Sequence, residues 1–471
     1  MAFIMLRLSS YFILSDRLQI GGYALLSGLT GSIEFISEKL YQKFKQITRG
    51  GNPRELYIDE SDFPEDLIEK YLKRGHITKI SHEDERRILM EIAVALHERE
   101  TACPSFVIVP DLDCNYRCVY CFEKPMQKRL EQGKTTMTFG EVDAIYKSID
   151  QITSETGSSP KSISLFGGEP LLMPNRDLVY YIVEEGTKRG MRFSAVTNGH
   201  DLNEFMELLG GDKIDNIQIT IDGPKDIHDK RRIALDGSSS FDGIIGNIRK
   251  VIADTDVKIS IRVNLDKDNY KGLKKLLEVF DRENWLSNDR IYVNAAIVAQ
   301  KDASGAAFPA HDINKVRAEL LELVNKHSNV EIGCAQSHQS EALFTSLISD
   351  KPYTLRSSYC GTSCGMYVFL PGGKISCCWE SVGEEYGYIG DYSENSLELD
   401  KQKAQWYFGR SAAKIPECAD CKYCLVCSGG CSQYAQYAHN DIYKPHCGDF
   451  PETYAWVLAD AVENFLKANG F

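Results

Sequence analysis

The stretch DLDCNYRCVYCFEKP, residues 111–125, holds Cys114, Cys118 and Cys121 within eight positions. Three cysteines on one loop can bind a metal as thiolates, yet structural zinc and most [4Fe–4S] clusters take four protein ligands. The spacing leaves two readings. Either a distant residue completes a zinc site, or a [4Fe–4S] cluster held by three cysteines keeps one iron open to a substrate or cofactor.

The chain has 15 cysteines, and ten of them lie between Cys360 and Cys447, leaving only Cys103 and Cys334 apart from the two clusters. In a reducing compartment such clustering reads as metal ligation. Buried cysteines acting as small hydrophobes fit the two outliers but not the clusters. CADCKYCLVCSGGC supplies Cys418, Cys421, Cys427 and Cys431 in a Cys-x2-Cys-x5-Cys-x3-Cys spacing, followed by Cys447. CGTSCGMYVFLPGGKISCC supplies Cys360, Cys364, Cys377 and Cys378. Zinc ribbons are the alternative for both stretches.

These loops need elements to hold them. From residue 104, candidate strands SFVIV, SISLF, RFSAV, NIQITI, KISIRVNL and RIYVNAAIV alternate with amphipathic runs such as EVDAIYKSIDQI, RDLVYYIVEEGTKRG, EFMELLG, FDGIIGNIRKVIAD and YKGLKKLLEVFDR. Six such units with right-handed crossovers predict an α/β domain with a parallel sheet, open or curled toward a barrel. In such folds chemistry collects at the C-terminal strand ends. Cys114 to Cys121 follow the first strand, Gly167, Gly168 and Glu169 the second, Thr197, Asn198 and Gly199 the third, and Asp222 and Gly223 the fourth.

Around this core, residues 1–98 read as a small α+β domain. Strands YFILSD, LQIGGYALLSG and SIEFIS precede helices EKLYQKFKQI, PEDLIEKYLKRG and DERRILMEIAVALHE, the last with Asp84 as its N-cap. Residues 306–355 read as a helical connector between the core, 104–305, and a cysteine-rich region, 356–471, where metals would supply the core. A chain of 471 residues exceeds what one hydrophobic core usually serves. The net charge of −13 disfavours nucleic acid and anionic membrane as partners. The start, MAFIMLRLSSYFILSD, is interrupted by Arg7, Ser9 and Ser10 and reads as a strand rather than a signal peptide. No long uncharged apolar run is present, so a cytoplasmic location is expected.

Taken together, the Cys-x3-Cys-x2-Cys loop, FGGEP (residues 166–170), VTNG, ITIDGP and IRVNL resemble the radical S-adenosylmethionine (radical SAM) enzymes over residues 104–300. The resemblance implies a partial (β/α)6 TIM-like barrel with a [4Fe–4S] cluster on Cys114, Cys118 and Cys121 and S-adenosylmethionine chelated at its open iron. It implies that Tyr120 packs the adenine and that backbone near Phe122 reads the adenine edge. Gly167, Gly168 and Glu169 would receive the methionine amino group, and Thr197 and Asn198 the ribose. Thr220 and Asp222 stand where the family often has Ser-x-Asp-Gly, and Arg262 stands near the place of a partner for the methionine carboxylate. For Arg262 a surface or structural ion pair is the alternative. No residue is singled out as catalytic.

The C-terminal cysteines resemble a SPASM domain, Gly373 with Cys378 reproducing its Gly-x4-Cys element. That resemblance implies two auxiliary [4Fe–4S] clusters, three in all: one on Cys360, Cys364, Cys378 and Cys431, the other on Cys418, Cys421, Cys427 and Cys447. Cys377 competes with Cys378, and Cys424 sits inside the x5 gap, so both ligand sets stay open.

SPASM enzymes mostly modify peptides. The resemblance implies a maturase of a ribosomally made peptide that forms a thioether or another crosslink. The N-terminal domain, winged-helix-like in pattern (YALLSGLTGSIEFISEKLYQKF, LIEKYLKRGHI), would bind the peptide's leader as an added strand, as a RiPP recognition element (RRE) does. A flavodoxin or ferredoxin would supply electrons. Two alternatives stand beside this. One is an anaerobic sulfatase maturase making formylglycine, whose family carries aspartate where this chain has Trp379. The other is a non-enzymatic iron–sulfur electron carrier, which would not need the GGEP, TNG and TIDG series.

Overall fold

A computed structural model of the chain describes residues 6–49, 52, 54–121, 123, 135–298, 310–324, 326–333, 337–448 and 450–470. They form two compact units, one of residues 1–101, 335–364 and 409–471, the other of residues 102–334 and 365–408.

In the first unit the strands are β1 (Arg7–Leu8), β2 (Phe12–Leu14), β3 (Tyr23–Ser27), β4 (Ile33–Ile36) and β5 (Ile77–Thr78). β2, β3 and β4 make a three-stranded antiparallel sheet in that order, and β1 pairs with β5. Leu8, Phe12, Leu25, Phe44 and Tyr71 are buried together between these strands and helices α1 (Glu38–Thr48) and α2 (Glu65–Arg74). Helix α3 (His82–Thr101) starts two residues before the expected cap, Asp84. Ser81 is the residue that caps it: its Oγ accepts the Asp84 N–H at 3.1 Å and donates to Asp84 Oδ2 at 2.9 Å. Asp84 therefore stands three residues into the motif, where an acid favours the helix start. Two further helices, Ser337–Ile348 and Phe450–Ala468, pack on each other in this unit.

The second unit is α/β with a central parallel sheet. Its strands are β6 (Ser105–Ile108), β7 (Ser162–Leu165), β8 (Arg192–Thr197), β9 (Ile214–Thr220), β10 (Lys258–Leu265), β11 (Ile291–Ile297), β12 (Val330–Gly333), β13 (Met366–Leu370), β14 (Lys374–Ser376), β15 (Tyr388–Tyr392) and β16 (Leu397–Leu399). Among the described residues they form one sheet, ordered β12-β11-β10-β9-β8-β7-β6-β13-β14-β15-β16. β6 to β12 run parallel, and β13 joins β6 in parallel before three antiparallel pairings close the row. The six strands expected from sequence are all present. β12 lies inside the stretch read as a helical connector; four residues are too few to show an alternation.

Strand β10 shows how the sheet sorts its side chains. Ile259, Ile261, Val263 and Leu265 are buried, while Ser260, Arg262 and Asn264 are half-buried on the opposite face. Among the helices, α4 (Phe139–Thr156) opens with a reciprocal capping box between Thr138 and Glu141. EFMELLG forms a 3₁₀ helix, Leu202–Leu208, because Gly210 and Gly211 follow too soon for a longer α-helix. No helix among the described residues is long and apolar enough to cross a membrane.

Candidate functional site

The loop carrying Cys114, Cys118 and Cys121 is tied on two sides. The Gly168 N–H donates to Asp111 O at 3.2 Å and the Glu169 N–H to Asp113 O at 2.9 Å. A Cβ on Gly168 would lie 2.2 Å from Asp113 O. Gly167, with φ 125°, has its Cβ position 2.6 Å from Asp111 O. Glycines at these positions therefore let the end of β7 touch the cysteine loop's backbone. On the other side the loop pairs with the segment after the short helix Lys225–Arg231. The Arg117 N–H donates to Ile233 O at 2.8 Å, Val119 N–H to Arg231 O at 2.9 Å and Leu235 N–H to Asn115 O at 2.9 Å.

Cys118 is buried, and Cys114 and Cys121 are partly exposed. The Cys114 sulfur accepts the Tyr116 N–H at 3.4 Å and Asn198 Nδ2 at 3.7 Å. Burial, reinforced by the Glu169 carboxyl, pushes the Cys114 thiol far up; burial and then Glu123 push Cys121 up to about 11. Thiols so placed stay protonated until a metal takes the proton's place. Phe122 lies outside the described residues.

Glu169, Thr197 and Asn198 are brought together at the ends of β7 and β8. Glu169, 2% exposed, accepts the Leu171 N–H (2.9 Å) and Thr197 Oγ1 (2.6 Å) on Oε1, and the Asn198 N–H (2.6 Å) on Oε2. Burial outweighs these donors and raises its pKa to about 7. Asn198 Nδ2 also donates to Asn115 Oδ1 at 2.7 Å, joining the third strand end to the cysteine loop.

Tyr120 of the cysteine loop meets Asp222 at the end of β9, and Arg262 of β10 is linked to them through Asn264. The Tyr120 hydroxyl donates to Asp222 Oδ2 and accepts from Arg232 Nη1 at 2.9 Å. Asp222 is fully buried, and its Oδ1 accepts the Asn264 N–H at 3.0 Å. Arg262 Nε donates to Asn264 Oδ1 at 3.0 Å. Among the described residues no carboxylate comes within the 4.0 Å ion-pair distance of Arg262, so the ion-pair alternative finds no partner there. Thr220, buried at the end of β9, stands in register with Arg262.

Arg232 is the residue sequence reasoning passes over. It is 8% exposed, and its Nε has no hydrogen-bond partner among the described residues. Its charge acts on Tyr120, Cys118 and Asp222 and also lowers the thiols of Cys114 and Cys121. In the sequence it hides in HDKRRI, indistinguishable from a solvated charge run.

In the first unit, Cys418, Cys421, Cys427 and Cys447 form one electrostatic group. Burial and then the other three raise Cys418 to about 12, and burial followed by Cys447 and Cys421 raises Cys427 to about 12. Cys424, also buried, is pushed up by burial and then by Cys418, Cys421 and Cys427. Of the other expected set, Cys360, Cys364 and Cys431 belong to the first unit, while Cys378 and its buried neighbour Cys377 belong to the second.

Arg410, with no exposed surface, is set among the first-unit cysteines. It donates to Ile442 O, to Gly430 O at 2.8 Å, and to Gly429 O at 2.9 Å and Lys444 O at 3.3 Å. These carbonyls flank Cys431 and Cys447. A Cβ on Gly429 would lie 3.5 Å from Arg410 Nη2 and 3.7 Å from Cys418 Sγ. Among the described residues no carboxylate pairs with Arg410, while Cys431, Cys360, Cys418 and Cys427 all act on its charge.

Both cysteine loops lie beside a buried guanidinium: Arg232 shares the Tyr120 hydroxyl with the buried carboxylate of Asp222, whereas Arg410 has no carboxylate partner among the described residues. An uncompensated buried cation is costly, and a thiolate-ligated iron–sulfur cluster is the anion that would balance it. On this ground the cysteines around Arg410 fit such a cluster, and the three thiols of the Cys114 loop fit one by their donor chemistry. No three His, Cys, Asp or Glu among the described residues close around a single metal ion; a cluster, a cube rather than a point, spreads its thiolates wider.

In the second unit, Trp379, beside Cys378, stacks on Phe166, the residue before Gly167, with ring centroids 5.2 Å apart at 24°.

Residues 109–280 match the Radical SAM superfamily. A cysteine-type anaerobic sulfatase-maturating enzyme of Clostridium novyi is 22% identical over 327 residues, 68% of this chain and 85% of that one. A probable GTP 3′,8-cyclase of Pyrobaculum aerophilum is 28% identical over 174 residues, 35% of this chain and 50% of that one. The fold is shared with native anSMEcpe solved with bound AdoMet, at a TM-score of 0.58 and 16% identity, covering 78% of this chain and 100% of that one. The chain is an enzyme, similar over residues 109–280 to the radical SAM superfamily, whose members require a [4Fe–4S] cluster and S-adenosylmethionine.

Proposed function

We propose that this enzyme is a maturase that cleaves S-adenosylmethionine at the Cys114–Cys118–Cys121 loop and oxidatively crosslinks a ribosomally made peptide. The convergence of three strand ends, those of β7, β8 and β9, on that loop carries the reading. Gly168 and Glu169 bond its backbone, Asn198 reaches the Cys114 sulfur, and Asp222 holds Tyr120.

When bound, cluster and S-adenosylmethionine supply a 5′-deoxyadenosyl radical that removes a hydrogen atom from the substrate. The chain's own residues bind and orient. Glu169 meets the methionine ammonium as a carboxylate, and Gly167 and Gly168 admit close backbone approach. Arg262, free of a carboxylate among the described residues, offers its fork to the methionine carboxylate. Thr197 and Asn198 address the ribose, Thr220 lies beside Arg262, and Tyr120, held by Asp222 and Arg232, packs the adenine.

Two auxiliary [4Fe–4S] clusters in the C-terminal cysteines would remove the second electron, one of them on Cys418, Cys421, Cys427 and Cys447. The Arg410 cradle supports their presence. A flavodoxin- or ferredoxin-type donor would supply the electron for a cluster held by Cys114, Cys118 and Cys121. A peptide substrate is supported by anSMEcpe, alike in fold and solved with AdoMet and a Cp18Cys peptide. For the leader, β4 lies at an edge of the three-stranded sheet with Phe35 53% exposed, a surface suited to strand addition.

A second reading, formylglycine formation, is favoured by the Clostridium novyi relative. Against it, Trp379, stacked on Phe166, stands where sulfatase maturases carry an aspartate. Mass spectrometry after co-expression with short peptides encoded beside the gene separates the two. A crosslink removes two hydrogens and keeps every sulfur, whereas formylglycine formation from cysteine replaces its sulfur with an aldehyde oxygen. Unmodified peptides throughout would count against both.

A further inference from the structure

The turn from Cys418 to Cys421 carries Ala419 and Asp420 between its thiols. Both are held by residues from the first hundred positions of the chain. The fully buried Tyr11 donates its hydroxyl to Ala419 O at 2.8 Å. His82 Nε2 lies 3.1 Å and Arg86 Nε 3.2 Å from Asp420 Oδ1. Gly28 abuts the following residue closely enough that a Cβ there would lie 2.6 Å from Lys422 O.

Behind His82 runs a buried polar chain. Its Nδ1 is 2.7 Å from Ser10 Oγ, and the Ser10 N–H donates to Glu85 Oε2 at 2.9 Å. Arg7 donates to Glu85 at 2.5 Å and to Ser10 Oγ at 2.7 Å. Side chains of Arg7, Glu85 and His82 are 3%, 1% and 2% exposed, so the chain of bonds has little water to replace a lost partner. Nothing in the reaction at the Cys114 loop uses these groups. Their outlet is Asp420, inside a metal-binding turn.

We infer that Tyr11 and His82, braced by Arg7, Ser10 and Glu85, are positioning residues for the distal auxiliary cluster, so that the N-terminal segment forms a wall of that cluster's site. Partners one step behind the ligands fix ligand orientation in metal sites generally. The inference rests on the reading that Cys418, Cys421, Cys427 and Cys447 hold a cluster. It changes the role of residues 1–101: the segment proposed to hold a leader peptide folds as one unit with the distal cysteines, and its removal would strip that turn of its support.

The test uses the full chain, reconstituted anaerobically with iron and sulfide. Iron per chain, the EPR spectrum after reduction, and the rate of iron loss to a ferrous chelator are compared for wild type, His82→Ala, Asp420→Ala, Asp420→Asn and Tyr11→Phe. His82→Ala and Asp420→Ala should release the distal cluster's iron about tenfold faster or more, with a changed EPR signal for that cluster. Asp420→Asn keeps an acceptor for His82 and should restore wild-type behaviour. Asp420 is 55% exposed, so its replacement leaves folding intact. Wild-type loss rates and spectra in every variant, with the distal cluster present, would overturn the clamp alone. Wild-type iron amounting to one cluster would overturn the clamp together with the cluster reading.

Discussion

Arg232 Nη1 donates to the Tyr120 hydroxyl at 2.9 Å, which sets a buried cation beside the loop of Cys114, Cys118 and Cys121. Asp222 holds the same hydroxyl from its other side. The cation and the carboxylate thus orient one aromatic ring at the Cys114–Cys121 loop. Arg232→Met keeps the volume and removes the charge. 5′-Deoxyadenosine release should fall about 10–100-fold, with less effect from Tyr120→Phe, which leaves the cation in place. Release at the wild-type rate from Arg232→Met would remove Arg232 from the account.

Glu169 predicts a pH dependence. Burial raises its pKa to about 7, so below that pH it is mostly neutral and above it a carboxylate. A cationic ammonium binds the carboxylate form, so S-adenosylmethionine affinity should rise as pH climbs through about 7. In Glu169→Gln that rise should vanish. Because the folded pKa is raised above the usual carboxylate value, the same group should make the ligand-free fold less stable as pH rises from about 4.5 to about 7. Binding titrations and thermal melts across that range read both.

Gly168→Ala places a methyl carbon 2.2 Å from Asp113 O, which cannot yield without moving the cysteine loop. The expected cost is about 1–3 kcal/mol with loss of S-adenosylmethionine cleavage. Gly243, in the helix Ser240–Asp254, has open space at its Cβ position. Gly243→Ala should stabilise by about 0.5–1 kcal/mol and leave cleavage unchanged. Chemical denaturation of the two variants makes the comparison.

Arg410→Met leaves four carbonyls without their donor and removes the cation from the distal cysteines. Each orphaned acceptor costs about 1–3 kcal/mol, so auxiliary iron should be lost. S-adenosylmethionine cleavage should persist while peptide oxidation fails. Iron analysis paired with the two product assays checks this; full auxiliary iron with normal oxidation would contradict it.

Local pattern carried the core of the fold. Alternation in KISIRVNL and apolar runs such as SISLF mark strands because each strand's burial is written in its own residues. GGEP, TNG and TIDG are legible for the same reason, since each follows its strand directly. What stayed hidden depends on distant partners. Arg232 and Arg410 look like ordinary surface charges until folding encloses them beside cysteines. MYVFL sits among cysteines and glycines, and nothing local says that it pairs with SFVI some 260 residues earlier. The N-terminal segment reads as a separate domain because its strands and helices are complete in sequence. Its contacts to the distal turn, Tyr11–Ala419, His82–Asp420 and Arg86–Asp420 among them, join residues more than 300 positions apart, and nothing local marks them.

The central claim, that the Cys114–Cys118–Cys121 loop starts the reaction, is tested most directly by one measurement. Anaerobically reconstituted, reduced protein is incubated with S-adenosylmethionine, and 5′-deoxyadenosine is quantified against the triple variant with Cys114, Cys118 and Cys121 replaced by alanine. The account predicts release from the wild type and none from the variant, with auxiliary-cluster absorbance retained in both. Cluster-replete wild-type protein that releases no 5′-deoxyadenosine would contradict it.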